Sequence, residues 1–165
     1  MSKDLTIGEA LRQRGVSRRG FLKFCAATAS MMALPPGMAP VIAAALEKAR
    51  RPSVIWLSFQ ECTGCTESLT RSHSPTVEGL IFDTISLDYH HTLQAASGDA
   101  AEAAREAAMA ENYGNYILVV DGSIPTGNPG YSTIAGISNI DMLKHTAAGA
   151  AAIVSVGTCA AYGGI

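Results

Sequence analysis

Ser53-Val-Ile-Trp-Leu-Ser58 is a β-branched and aromatic run with no helical spacing, and Cys62-Thr-Gly-Cys65 lies just past its end. A short continuous apolar stretch of this kind reads as a buried strand. Three more such runs follow: Thr84-Ile-Ser-Leu87, Tyr116-Ile-Leu-Val-Val-Asp121 and Ala151-Ala-Ile-Val-Ser-Val156. Helix-forming stretches separate them. These cover 67–70, then Pro75-Thr76 through Phe82, 97–111 with its start signal at Asp99, and 141–148; 122–130 is a Gly- and Pro-containing loop. Buried strands alternating with helices predict an α/β fold, a doubly wound parallel sheet with helices on both faces, because crossovers between parallel strands need helices. Ligands of such sheets sit beyond the carboxyl ends of the strands, where both cysteine segments fall.

The chain has 165 residues, 48% hydrophobic and 16% charged, which is enough apolar material for one buried core. Its net charge of −2 hides an asymmetry. Residues 1–45 hold Lys3, Arg12, Arg14, Arg18, Arg19 and Lys23 against Asp4 and Glu9, while the remainder is strongly acidic. An acidic body is a poor match for phosphate backbones, so nucleic acid is not expected as a partner. Neither a GxGxxG nor a Walker lysine motif occurs, which argues against nucleotide binding.

Ser17-Arg-Arg-Gly-Phe-Leu-Lys23 precedes a mildly apolar, Ala- and Met-rich stretch interrupted by Pro35-Pro36 and ending in Ala43-Ala44-Ala45. Charged, apolar and small-residue segments in this order read as a signal peptide, 1–45, with cleavage after Ala45. The paired arginines match the twin-arginine export signal, whose pathway carries proteins already folded. The body is then 46–165, and Cys25 is discarded with the leader. The apolar stretch is too polar and too broken by proline to serve as an anchor.

Cys62, Cys65 and Cys159 remain. Cys62-Thr-Gly-Cys65 follows the first strand and Gly157-Thr-Cys159 the fourth, so two distant loops can meet at one sheet edge. Free cysteine also packs as a small hydrophobe, a CxxC beside a strand can be a thiol-redox pair, and zinc takes four N or S ligands in a closed site. Loop placement disfavours packing, the thiol pair leaves Cys159 unexplained, and no second CxxC or CxxH offers zinc its remaining ligands. Iron–sulfur ligation uses all three thiols, with Gly64 admitting close backbone and the Tyr162-Gly163-Gly164 amides available to bond sulfide. His73, His90, His91 and His145 show no ligand spacing and are expected mostly at the surface.

Four motifs in order, Arg51-Pro-Ser-Val-Ile-Trp-Leu57, Glu61-Cys-Thr-Gly-Cys-Thr-Glu-Ser68, Asp83-Thr-Ile-Ser-Leu-Asp-Tyr89 and Gly157-Thr-Cys-Ala-Ala-Tyr-Gly-Gly164, resemble the small subunit of nickel-iron hydrogenases. The resemblance implies a flavodoxin-like domain holding a proximal 4Fe-4S cluster, with Cys62, Cys65 and Cys159 as three ligands and the fourth beyond Ile165. It implies an N-terminal fragment, with further iron–sulfur clusters in a C-terminal region. The implied function is that of an electron-transfer subunit of a periplasmic hydrogenase. Such a subunit relays electrons to or from a nickel-iron centre in a partner large subunit during reversible hydrogen oxidation, with an acceptor such as a cytochrome and with membrane association through other parts or partners. Glu61 and Thr63 would lie at the subunit interface, Glu61 moving protons or orienting the partner. Gly64 and Gly164 stand where oxygen-tolerant members carry extra cysteines, which implies the oxygen-sensitive kind. The competing expectation is an exported thiol-redox or zinc-binding α/β protein acting alone.

Overall fold

The structure, a computed structural model, describes residues 6–13, 15–31, 33–35 and 37–164; Lys3, Asp4, Arg14, Pro36 and Ile165 lie outside the described residues. The chain divides into two compact units, Met1–Arg51 and Pro52–Ile165.

The first unit is helical: α1 (Ile7–Gln13), α2 (Arg18–Met31) and α3 (Met38–Lys48). Thr6 and Glu9 form a reciprocal capping box at the start of α1, the Glu9 carboxylate accepting from the Thr6 amide at 2.9 Å and the Thr6 hydroxyl accepting from the Glu9 amide at 3.3 Å. Phe21 and Cys25 of α2 pack on Ala43 of α3 and fix one helix on the other. Arg18 and Arg19 are exposed on α2, and Ala43-Ala44-Ala45 lies inside α3 with Ala43 buried. Among the described residues no helix is long and apolar enough to cross a membrane.

The second unit runs β1 (Ser53–Ser58), α4 (Gly64–Thr70), α5 (Val77–Gly79) with a π-helical turn at Leu80–Thr84, β2 (Ser86–His90), α6 (Asp99–Glu111), β3 (Tyr116–Asp121), a 3-10 turn at Pro129–Tyr131, β4 (Thr133–Ile134), β5 (Ile137–Ser138), α7 (Asn139–Ala147), β6 (Ala150–Val156) and α8 (Gly157–Tyr162). The sheet order is β2-β1-β3-β6, with every pairing parallel. This is the doubly wound arrangement expected from the sequence. The chain leaves β1 to one side for β2 and returns past it to β3, so the crevice at the carboxyl ends of β1 and β3 is the topological switch point.

Alternation along the strands divides the core between two faces. Ile55, Leu57, Tyr116, Leu118 and Val120 meet Ala101, Ala108 and Met109 of α6 and Met142 of α7. Val54, Trp56 and Val119 meet Leu69 of α4 on the opposite face. Arg105, buried on α6, ties the first face together: it contacts Glu102 at 3.1 Å, Glu106 at 2.8 Å and the Thr146 hydroxyl at 3.1 Å. Tyr89 of β2 donates to the other oxygen of Glu102 at 2.8 Å.

Several local expectations need correction. The second strand is Ser86–His90, not 84–87. The Thr84 hydroxyl donates to the Gly79 carbonyl at 3.2 Å, occupying an acceptor of the regular helix, and the turn widens to π spacing before the strand begins. The 67–70 helix begins earlier, at Gly64. The helix expected at 141–148 begins at Asn139, because the Ser138 hydroxyl caps it by accepting from the Asp141 amide at 3.2 Å. Cys159 lies in the helix α8 rather than in a loop. His90 is only 1% exposed, and His91 is partly buried with Nδ1 2.8 Å from the Ser58 amide and 2.9 Å from its carbonyl, so this pair is not at the surface. His73 is exposed, and His145 is exposed and pairs with Glu106 at 3.0 Å.

Candidate metal centre

β1 and β3 are laced together just past their carboxyl ends. The Phe59 amide donates to the Asp121 carbonyl at 3.0 Å, and Gln60 and Ser123 exchange amide bonds of 3.1 and 2.9 Å. Gly122 makes this possible, with φ +81° and a position where a Cβ would come within 2.8 Å of the Gln60 carbonyl oxygen. The next residues, Glu61 and Cys62, are therefore delivered to the switch point.

Thr63 then turns the chain into α4 with φ 65°, left-handed and unusual for a β-branched residue. Its hydroxyl donates to Glu61 Oε1 at 3.3 Å, and its carbonyl accepts the Glu67 amide at 2.9 Å. Backbone strain is thus concentrated between the two cysteines, at a place where a functional constraint is the usual cause. Cys62 is exposed, while Cys65, in the first turn of α4, is partly covered.

The second strand end comes to Cys65 directly. Cys65 Sγ lies 3.7 Å from the Val156 carbonyl oxygen at the end of β6. Gly157, at φ +80°, follows, and a Cβ there would overlap Cys65 Sγ. A Cβ at Gly64 would sit 3.1 Å from Cys62 Sγ, so each of these two sulfurs rests against a glycine. Cys159 is partly covered on α8 and borders a groove of about 870 Å³ also lined by Gln60, Gly122, Ser123, Lys144 and Gly163. The Gly163 amide donates to the Cys159 carbonyl at 3.0 Å, so that amide closes α8 and is not free for a sulfide.

Around Cys65 and Glu61 the electrostatics are acidic. Burial pushes the Cys65 thiol up, and the charges of Asp121, Cys62, Glu61 and Cys159 push it further. Burial and the Asp121 carboxylate raise Glu61 against a smaller lowering by the Thr63 hydroxyl. Thiolates gathered here need a cationic centre to balance them. Among the described residues no three His, Cys, Asp or Glu side chains are close enough to hold one metal ion. A cluster of several irons makes a different demand, since each thiolate binds its own iron and the sulfurs need not converge on one point. Soft sulfur donors and glycine-lined clearance fit such a group.

The sequence alone did not single out Asp121, which is fully buried at the end of β3 with no hydrogen-bond partner for either carboxylate oxygen among the described residues. The available signal was an acid ending an otherwise apolar strand immediately before Gly122.

The family described as NADH ubiquinone oxidoreductase, 20 Kd subunit, matches residues 62–165. The chain is 50% identical over 156 residues to the periplasmic [NiFe] hydrogenase small subunit of Solidesulfovibrio fructosivorans, covering 94% of this chain and 49% of that protein. It is 46% identical over 156 residues to the hydrogenase-2 small chain of Escherichia coli K12, covering 94% and 42%. In structure it is similar to the [NiFeSe] hydrogenase of Desulfovibrio vulgaris Hildenborough, with a TM-score of 0.66 and 36% identity over 71% of this chain and 44% of that one. The Ni-Fe-Se hydrogenase of Desulfomicrobium baculatum gives a TM-score of 0.67 and 35% identity over 70% and 45%. The chain spans about half the length, or slightly less, of the curated relatives it matches.

Proposed function

Because the chain belongs to the NADH ubiquinone oxidoreductase 20 Kd subunit family, and matches hydrogenase small subunits over most of its length, we propose that it is the proximal-cluster part of the small subunit of a periplasmic nickel-iron hydrogenase. Its role is to relay electrons between a nickel-iron centre in a large subunit and a downstream acceptor such as a cytochrome, in reversible hydrogen oxidation. Cys62, Cys65 and Cys159 would hold a proximal 4Fe-4S cluster, with the fourth ligand and the further clusters supplied by sequence beyond Ile165. The observation that carries the reading is the meeting of Cys65 Sγ with Val156 and Gly157, which brings the CxxC and the Gly-Thr-Cys segments to one strand end.

When bound, the cluster supplies a one-electron carrier. The chain's own residues prepare its seat. Gly157 and Gly64 clear space at two sulfurs, the Gln60–Ser123 bridge fixes the approach of Cys62, and α4 holds Cys65 by its first turn. Glu61 is poised to contact the large subunit or to pass a proton, with Thr63 orienting its carboxylate. The exposed Arg18-Arg19 pair would direct export by the twin-arginine pathway.

Co-purification of the complete gene product with its partner, followed by hydrogen-dependent dye reduction, tests this reading. The parent complex is expected to contain nickel and reduce the dye. Cys159→Ser should keep the partner and lose dye reduction. A chain that purifies alone, or a Cys159→Ser complex as active as the parent, would refute it.

A further inference from the structure

Buried polar atoms almost always find a partner, so a group of them without one in a single layer marks something that must fill it. Such a layer lies between α4 and the carboxyl ends of β1, β2 and β3. Trp56 Nε1, Ser58 Oγ, Thr66 Oγ1, His90 Nε2, Glu61 Oε2 and both carboxylate oxygens of Asp121 are buried and make no hydrogen bond with the described protein.

These atoms are brought together by register. Trp56 and Ser58 alternate onto one face of β1. His90 is the register partner of Trp56 on β2, their rings 4.9 Å apart, and Asp121 is the partner of Ser58 on β3. That face is the one α4 covers through Leu69, and Thr66 lies one turn before Leu69 on the same side of α4. The lower part of this interface is apolar and closed. Its upper part, next to Cys65, is polar: Thr66 is 2% exposed, His90 1% and Asp121 0%.

Asp121 ends the β3 side of the layer. It is the register partner of Val156, whose carbonyl touches Cys65 Sγ, and its charge acts on Glu61, Cys65 and His90. A carboxylate buried with neither counter-ion nor donor is unfavourable, and water is a donor small enough to reach it. Hydroxyls, an imidazole nitrogen and an indole N–H in the same layer supply the kinds of partner, two to four of them, that a buried water takes.

We propose that this layer holds a cluster of ordered water bridging Asp121 to Ser58, Thr66 and His90, and that Asp121 so held acts through its charge on the cysteine site, favouring the oxidised state of the iron–sulfur group bound there. The inference rests on the iron–sulfur reading. A negative charge behind Cys65 opposes the arrival of an electron. Asp121 is not a ligand in this account.

The test uses the complete complex. In an EPR-monitored redox titration, Asp121→Asn is expected to move the midpoint of the signal lost on Cys62→Ser toward more positive potentials, with iron and sulfide content unchanged. A high-resolution crystal structure of the parent complex is expected to show water within hydrogen-bond distance of Asp121, and it decides the matter even if the variant does not assemble. An unmoved midpoint at full cluster content overturns the inference, as does an Asp121 carboxylate satisfied by protein donors or a metal cation. A complex with no iron or sulfide dependent on Cys62 overturns the iron–sulfur reading instead, so the two failures are distinguishable.

Discussion

Replacing Gly157 by alanine separates the backbone demand of the cysteine site from its steric demand. Gly157 has φ +80°, and a side chain in that region costs about 1 to 2 kcal/mol. Its Cβ would also overlap Cys65 Sγ, and restoring ordinary contact requires that sulfur to move by about 1 Å. Gly114 supplies the control: its φ is +79° and nothing lies within 4 Å of the added Cβ, so Gly114→Ala carries the strain alone. Urea unfolding should therefore show a loss of about 1 to 2 kcal/mol for Gly114→Ala. Gly157→Ala should lose a further ~1 kcal/mol or more, because a crowded contact is destabilising and Cys65 is only partly covered and can shift. The decisive assay is iron per complex. Gly114→Ala should keep the parent value, whereas Gly157→Ala should lose the same iron that is lost on Cys62→Ser, since a ligand displaced by about 1 Å no longer meets its metal. Equal iron retention in the two variants would refute the argument that Gly157 exists to seat Cys65.

Other consequences can be checked alongside. Arg105→Leu leaves Glu102, Glu106 and the Thr146 hydroxyl without their buried partner; as Glu106 is half exposed, the expected loss is about 2 to 3 kcal/mol in urea unfolding, below that of a fully buried pair. Burial pulls the His90 imidazole down to about 4, so the unfolded chain takes up a proton before the folded one does. The stability of the metal-free chain is then full above pH ~6.5 and falls by up to about 3 kcal/mol as pH drops toward 4, and His90→Gln should flatten this acid limb in urea midpoints taken between pH 7 and 4.5. Replacing Arg18 and Arg19 together by lysine should leave the full precursor in the cytoplasm on cell fractionation, because the pair is exposed for recognition. Gly149→Ala should cost no more than about 1 kcal/mol by thermal unfolding, because the Tyr113 ring that its Cβ would meet at 2.6 Å is exposed and can swing aside.

The sheet was legible because its inner strands are buried on both faces and so carry unbroken apolar runs, as in Ser53–Ser58 and Tyr116–Asp121. The resemblance to hydrogenase small subunits was legible in four short motifs and holds over 94% of the chain. What escaped was polar material used in buried places. Asp88, Tyr89 and His90 resemble a loop in composition, yet they finish β2, where the Ser53 and Ser86 hydroxyls each donate to Asp88 at 2.6 Å. The His90-His91 pair looked superficial because burial of an imidazole depends on the neighbouring strands, which no local spacing reveals. The β4–β5 hairpin escaped as well, since its turn at Ala135-Gly136 places an alanine at φ 51°, where glycine or asparagine is the usual signal. At the candidate centre the cysteines were visible in sequence, but Asp121 and the polar layer beneath α4 required the register of three strands.

The central claim is that Cys62, Cys65 and Cys159 hold an iron–sulfur group for electron relay. The most direct measurement is iron and acid-labile sulfide analysis with low-temperature EPR on the complete complex, purified without oxygen, beside its Cys62→Ser variant. The account predicts that four irons and four sulfides, with their reduced-state signal, disappear together in the variant while nickel and the partner remain. Zinc at these cysteines, or a signal and metal content identical in parent and variant, would contradict it.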